Sequence, residues 1–174
     1  MGSFSGQCQD VDAFIDGMSV RHIGPGAMSG RVTSIDVRRD RPNEILIGTA
    51  SGGVWRSLSA GVTWEPLFDD EATQSIGAVK IASSNPDVIW VGTGEGNPRN
   101  SHTSGQGVYR SIDGGVSWNL MGLEETRNIH RIVIHPDNSQ VVWVAALGPA
   151  WGEQEERGVF KTEDGGETWQ KTLY

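Results

Sequence analysis

Hydrophobic and polar positions along the chain follow the same order three times. Each unit has an apolar run, a turn, and a second apolar run that starts ten residues after the first. The first runs are 35–37, 79–81 and 132–134, and the second runs are 45–47, 89–91 and 142–144. These runs are short and rich in β-branched and aromatic residues, and no stretch shows sustained helical periodicity, so the pattern predicts strands.

Two further strands follow in each unit. A Gly-Val-aromatic-basic segment (53–56, 107–110 and 158–161) leads into a glycine-rich segment that ends in tryptophan (57–64, 111–118 and 162–169). Each unit therefore predicts four strands, here named A to D. Repeats of about 40–50 residues with four strands are typical of β-propeller blades.

We therefore predict an all-β chain, a β-propeller segment of three four-stranded antiparallel blades. The blades span 32–69, 75–122 and 128–174. We expect residues 1–17 to be a polar, poorly ordered segment, and residues 18–31 are a candidate extra strand that would close a ring. Since propellers need about four to eight blades, further blades of a larger propeller or self-association would have to complete this one.

The glycine-rich segments have the chemistry of tight hairpins. An Asp carboxylate accepts bonds from the turn's own N–H groups, glycine supplies positive φ, and the tryptophan packs under the turn. The structural turn residues are Ser111, Asp113, Gly115, Trp118, Thr162, Asp164, Gly166 and Trp169, with Gly61 and Trp64 in the first unit. Ser59 and Ala60 replace Asp and Gly there, so the first turn should be weaker. The tryptophans at 64, 90, 118, 143 and 169 fall in repeat columns and are assigned to the core.

Charge and composition exclude several classes of function. The chain of 174 residues has a net charge of −8, which argues against nucleic-acid and anionic-membrane surfaces. There is no transmembrane-length apolar run, we expect a signal peptide to be absent or already removed, and one cysteine cannot form a disulfide within the chain. No nucleotide loop is present, the four histidines lack metal-ligand spacing, and we expect neither a metal nor a cofactor.

The units differ most in the loop between strands B and C. From strand B to strand C the chain runs 10 residues in the first unit, and 20 and 18 in the others. An antiparallel meander places the B–C and D–A loops at one end, opposite the glycine-rich hairpins, and long loops on a rigid scaffold often bind ligands. The candidate ligand-binding residues are Glu95, Asn97, Arg99, Asn100, His102, Arg127, His130 and Trp151. They suit a carbohydrate or a peptide, but these loops could equally bond mainly to one another.

Several strings resemble a known family. The hairpins resemble the Asp box, or BNR repeat. The strings at 21–25, 29–32, 52–55, 92–100 and 155–159 resemble bacterial sortilin-N-type propellers, which are often labelled glycosyl-hydrolase-like. The resemblance implies an extracellular, periplasmic or cell-surface location, although the sequence alone leaves the location unknown.

Glycosidic hydrolysis normally needs two placed carboxyl groups. The carboxyl candidates are Glu95, Glu124 and Glu153, and spacing supports none of them. The region 48–53 resembles xyloglucan-cleaving propellers, but Ala50 stands where those proteins place an acidic residue. We therefore predict a non-enzymatic binding module of a secreted or surface propeller. The alternatives are a glycoside hydrolase, sialidase-like or xyloglucanase-like, that is incomplete in this chain, and a purely structural segment.

Overall fold

The structure, a computed structural model, describes residues 31–97, 103–149 and 154–173. These residues form three separate four-stranded antiparallel sheets, in each of which the spatial order of the strands follows the chain. Sheet 1 contains β1 (Val32–Val37), β2 (Ile45–Thr49), β3 (Val54–Ser57) and β4 (Glu65–Pro66). Sheet 2 contains β5 (Ile76–Ile81), β6 (Ile89–Thr93), β7 (Val108–Ser111) and β8 (Asn119–Leu120). Sheet 3 contains β9 (Ile129–His135), β10 (Asn138–Ala146), β11 (Gly158–Thr162) and β12 (Gln170–Leu173).

The predicted fold class is confirmed. Within the described ranges the one helical segment is a single 3-10 turn, Glu124–Thr126, between sheets 2 and 3. The segment 1–17 lies outside the described residues, and so does the candidate strand 18–31 apart from Arg31. No helix in the described part of the chain has the length and apolarity needed to cross a membrane.

The three sheets have the same register. Ile35 pairs with Ile47 in sheet 1, Val79 with Val91 in sheet 2, and Ile132 with Val144 in sheet 3. Residues at equivalent sequence positions therefore occupy equivalent places on the three sheets. We call each such set of three residues a column.

Two apolar clusters hold the sheets face to face. The first, between sheets 1 and 2, contains Leu46, Val54, Phe68, Ile76, Val79, Ile81, Ile89, Val91 and Tyr109. The second, between sheets 2 and 3, contains Ala78, Ala82, Val88, Trp90, Val108, Ile129, Ile132, Val142, Val144 and Ala146. Sheet 2 thus buries both faces, as its nearly continuous apolar strand Ile89–Thr93 indicates.

The tryptophan columns are not uniformly core. Trp90 is fully buried and meets Trp169 edge to face at 6.1 Å, whereas Trp64, Trp118, Trp143 and Trp169 are half-buried. Trp143 occupies in sheet 3 the position that Trp90 occupies in sheet 2. It lies on the face of sheet 3 that points away from sheet 2. Neighbouring packing, and not residue type, therefore decides burial in these columns.

Hydrogen bonds repeat across both sheet-to-sheet contacts. The basic residues of β3 and β7 each donate to a hairpin glycine of the next sheet: Arg56 Nη1 to the Gly114 carbonyl at 2.8 Å and Arg110 Nη1 to that of Gly165 at 3.1 Å. In return, Trp118 Nε1 donates to the Leu67 carbonyl at 2.7 Å and Trp169 Nε1 to that of Met121 at 2.6 Å. We call the first the forward bond and the second the return bond.

Each hairpin closes on its own side chains. The Asp113 carboxylate accepts bonds from the N–H groups of Val116 at 3.0 Å and Ser117 at 2.9 Å, while Ser111 Oγ accepts from Gly115 N–H at 2.8 Å. Asp164 and Thr162 make corresponding bonds in sheet 3. In sheet 1 the Ser59 hydroxyl accepts from Thr63 N–H at 2.8 Å, so a neutral oxygen takes the carboxylate's position.

Candidate functional site

The loops sort to two ends of the sheets. At one end each hairpin meets the A–B turn of its own sheet: the N–H groups of Ala60, Gly114 and Gly165 donate to the carbonyls of Asn43, Asp87 and Gln140. At the opposite end the B–C loops contact the segments that lead into the first strand of each sheet, β1, β5 and β9, which we call the inner strands. We call this second end the loop end, and it holds every candidate ligand-binding residue that the structure describes.

Three residues at equivalent positions fasten the B–C loops at the loop end. Arg31, Ser75 and Asn128 each immediately precede the inner strand of their sheet, and their carbonyls accept bonds from Ala50, Gly94 and Leu147 at 3.0, 2.7 and 2.8 Å. Each donor lies just beyond strand B, so the same bond fastens each B–C loop to its sheet. These three residues were not predicted from the sequence, although each is a polar residue directly before an apolar strand.

Glu95 is the buried carboxylate of the loop end. Only 2% of it is exposed, and its carboxylate pairs with the guanidinium of Arg31. Its backbone N–H reaches Ser75 Oγ at 3.2 Å, and Ser75 Oγ in turn donates to the Thr103 carbonyl at 2.9 Å. An ion pair and a hydroxyl bridge therefore fix the start of the long second B–C loop between sheets 1 and 2.

Gly96 brings this loop against His130. A Cβ on Gly96 would lie 2.5 Å from His130 Nδ1, so only glycine allows the imidazole to pack so close to the backbone. His130 is exposed, as is Asn97. The structure thus brings Glu95, Asn97 and His130 together near the start of the loop.

Arg127 and Asn128 join the two long loops. The Arg127 carbonyl accepts from Gly105 N–H at 2.6 Å, and the buried Asn128 side chain donates from Nδ2 to the Gly148 carbonyl at 2.9 Å. The Arg127 guanidinium is exposed and lies 4.0 Å from the carboxylate of Glu125. Arg127 takes a positive φ of 53°, a conformation that costs free energy in a non-glycine residue.

The carboxyl candidates occupy different environments. Glu95 is committed to Arg31, whereas Glu124 is exposed in the 3-10 turn. Glu153 lies outside the described residues, and so do Arg99, Asn100, His102 and Trp151. Among the described residues, no three His, Cys, Asp or Glu side chains are grouped closely enough to hold a metal ion.

The carboxyl groups with the most strongly lowered pKa lie in the hairpins. Hydrogen bonds from Ser117 and Ser111 lower the pKa of Asp113 to about 2, and bonds from Thr168 and Thr162 hold the pKa of Asp164 well below its usual range. Near sheet 1, burial and the neighbouring Asp70 raise the pKa of Glu71. Because hydrogen bonds within the turn account for the low values, the shifts reflect structural anchoring rather than catalysis.

Comparison with known proteins points to one kind of relative. The chain is 26% identical over 115 residues to a probable oligoxyloglucan-reducing end-specific xyloglucanase of Neosartorya fischeri, a match that covers 64% of this chain and 13% of that protein. It is 32% identical over 117 residues to xyloglucanase Xgh74A of Acetivibrio thermocellus, covering 54% of this chain and 13% of that protein. The chain therefore spans only a small part of these curated relatives. No protein-family model matches it.

Solved structures support the fold. An ancestral GH74 enzyme superposes with a TM-score of 0.65 at 22% identity, over 84% of this chain and 19% of that chain. YCF48 from Cyanidioschyzon merolae superposes with a TM-score of 0.55 at 20% identity, over 84% of this chain and 38% of that chain. A further YCF48 structure, solved with D1 peptide bound, gives a TM-score of 0.52 at 15% identity, over 82% of this chain and 39% of that chain. These likenesses show a β-propeller fold, and they do not support the narrower sortilin-N-type resemblance.

Proposed function

We propose that this chain supplies part of the polysaccharide-binding face of a glycoside-hydrolase-type propeller, and that its loop end binds xyloglucan or a related β-glucan. The observation that carries the proposal is the match of more than half of the chain to two xyloglucanases. The role given to this segment is binding, and the bond-breaking carboxyl groups belong to other parts of a complete propeller.

The chemistry of the loop end supports binding. Asn97 and Arg127 offer exposed amide and guanidinium donors, and His130 adds an exposed residue whose ring packs against Gly96, the neighbour of Asn97 in the chain. Sugar hydroxyls both donate and accept hydrogen bonds, so such groups on a rigid support suit an uncharged polysaccharide. Glu95 acts as a positioning residue, because its pairing with Arg31 holds the loop that presents Asn97.

The same geometry favours binding over hydrolysis by this segment alone. Hydrolysis needs two carboxyl groups about 5–10 Å apart on either side of the scissile bond. Of the described candidates, Glu95 is occupied by an arginine and Glu124 is exposed on a separate turn. Hydrolysis remains the second candidate function, which the sequence matches to xyloglucanases favour.

The same proposal includes the cellular location of the protein and its assignment to a class of propellers. Xyloglucan is an extracellular polysaccharide, so the proposal places the protein outside the cell or on its surface. The glycine-rich hairpins, with carboxylates bonded to their own turns, support assignment to the Asp-box class of propellers.

Affinity electrophoresis in gels containing xyloglucan tests the proposal. We expect the chain to be retarded by xyloglucan, and the variants Asn97→Ala and His130→Ala to lose most of that retardation. Asp137→Ala, in a turn at the hairpin end, is the matched control and should bind normally. Unretarded migration of the folded wild-type chain would contradict binding.

A reducing-sugar assay on the same samples separates the two functions. Binding without release of reducing ends supports the binding role. Turnover that Glu95→Gln or Glu124→Gln abolishes, while binding persists, would instead establish the hydrolase.

A further inference from the structure

A groove lies along the outer edge of the contact between sheets 1 and 2. Its volume is about 620 Å³, and it separates the segment that follows β4 from the hairpin of sheet 2. We call it the outer groove, because β4 lies at the edge of sheet 1 opposite the inner strand. Both walls belong to sheets that already pack against each other, so the groove is a cleft at a completed contact and not a sheet face without a neighbour.

Aromatic and apolar side chains line the outer groove. The Trp118 ring meets the buried ring of Phe68 edge to face at 5.2 Å, and its indole makes the return bond to the Leu67 carbonyl. Phe68 meets Tyr109 in the same way at 5.1 Å. Rings that are already fixed lose little conformational entropy when a ligand packs on them. The groove therefore offers a preformed apolar surface.

Val116 extends this surface on the hairpin of sheet 2. It is 80% exposed, although its sheet has a neighbour on each side. The equivalent residue of sheet 1, Val62, is 81% exposed, and the equivalent residue of sheet 3 is Glu167. Covering an exposed valine with apolar groups is favourable. Packing between the sheets thus leaves Val116 available to a partner.

Three consecutive carboxyl residues, Asp69, Asp70 and Glu71, line the other wall of the outer groove. None of the ion pairs among the described residues involves Asp70 or Glu71. Burial and the neighbouring Asp70 raise the pKa of Glu71, and no cation in the described part of the chain offsets that repulsion. Arg56 reaches the same hairpin through its forward bond, but it is already paired with Glu65 at 2.7 Å.

The contact between sheets 2 and 3 supplies its own cation at the corresponding place. Glu125 follows its hairpin tryptophan by seven residues, as Glu71 does, and the Arg127 guanidinium lies 4.0 Å from the Glu125 carboxylate. Sheet 1 has no counterpart of this arginine, because residues 72–74 are Ala, Thr and Gln. The charge that would balance the carboxylates of the outer groove is therefore absent from the described part of the chain.

We propose that the outer groove docks a basic, apolar peptide segment of a partner protein. Apolar side chains of the segment cover Val116 and the Trp118 ring, and a Lys or Arg side chain beside them pairs with Asp70 and Glu71. The net charge of −8 favours the approach of such a segment. Residues 1–17 of this chain contain three aspartates and no Lys or Arg, so they do not suit the groove. The proposal does not depend on polysaccharide binding at the loop end.

Fluorescence anisotropy tests the proposal with a fluorescein-labelled peptide of alternating lysine and leucine as the probe. We expect saturable binding below about 1 mM of the full chain, and weaker binding as the salt concentration rises. A peptide with glutamate in place of lysine should not bind. A peptide with serine in place of leucine should bind more weakly, because it cannot cover the apolar wall.

Two variants, each with a matched control, locate the binding. Val116→Ser should weaken binding about tenfold, whereas Val62→Ser makes the same change on the hairpin of sheet 1 and should have no effect. Asp70→Asn should weaken binding about two- to fivefold, as expected for one exposed charge pair. Glu167→Gln removes an exposed carboxylate outside the groove and should have no effect.

Circular dichroism of each variant checks that the fold persists. A folded wild-type chain that shows no saturable binding overturns the proposal. Equal losses in each variant and its control overturn it as well, since they would show only a general attraction between an acidic protein and a basic peptide. Asn97→Ala should bind the peptide as the wild type does, which separates this result from the xyloglucan test.

Discussion

The indole N–H of Trp169 donates to the Met121 carbonyl across the boundary between sheets 3 and 2, at 2.6 Å. The two residues are separated by 48 positions, so this bond fastens two sheets that share no strand pairing. The corresponding N–H of Trp64 bonds within its own hairpin instead.

Replacing these two tryptophans should therefore have unequal effects. Trp169→Phe leaves a half-buried carbonyl without its donor and should lower the free energy of unfolding by about 1–2 kcal/mol. Trp64→Phe should cost less, because its acceptor lies in a hairpin open to water. Urea unfolding of dilute samples measures both values, and equal losses would contradict a role for the bond between sheets.

Two hairpin residues have positive φ, which glycine adopts more easily than alanine. Replacing alanine by glycine and glycine by alanine at these positions should therefore change the free energy of unfolding in opposite directions. Ala60 has a positive φ of 56°, so Ala60→Gly should raise the free energy of unfolding by about 0.5–1 kcal/mol. Gly114 has a φ of 73°, and a Cβ there would meet no atom of the described residues within 4 Å, so Gly114→Ala tests conformation alone and should cost about 1 kcal/mol. Thermal denaturation that shows the same sign for both would refute the strain argument.

Stability should decline in acid because of Asp113 and Asp164. Their hydrogen bonds lower both carboxyl pKa values in the folded state, that of Asp113 to about 2. The unfolded chain, with a carboxyl pKa of about 3.9, binds these protons more readily. The stabilisation is therefore fully present above about pH 5 and decreases as the pH falls toward 2. Urea midpoints measured across this range should fall less steeply for Asp113→Asn than for wild type, and parallel curves would exclude Asp113 as a source.

Glu95 and Arg31 should be energetically coupled. Glu95→Gln leaves the buried position without a full ion pair, and Arg31→Met leaves the carboxylate buried without its partner. Each should cost about 1–3 kcal/mol, since Arg31 is half-exposed and a fully buried pair would cost more. The double variant should cost less than the sum of the single losses, and strict additivity in a double-mutant cycle would show that the pair contributes nothing.

The repeated pattern predicted the sheets because each strand carries its own local signal. Apolar runs ten residues apart, with glycine-rich hairpins behind them, specify four strands without any knowledge of neighbouring sheets. The burial of Trp143 could not be predicted in this way, because it depends on whether another sheet covers its face.

The loop end was less predictable for a similar reason. Glu95 stood out as an acidic residue in a long loop, but nothing near it in sequence indicated Arg31, which is 64 residues away. Asn128 was not predicted, because it acts through a buried side-chain amide and a backbone carbonyl. Its neighbour Arg127 was predicted because its charge is evident from the sequence.

Arg127 and Asn128 form a mechanical junction, since one dipeptide holds the bases of both long loops. A displacement of Gly105 in the loop after β6 would therefore reach Gly148 in the loop after β10 through two adjacent residues, without any rearrangement of strand pairing in the sheets.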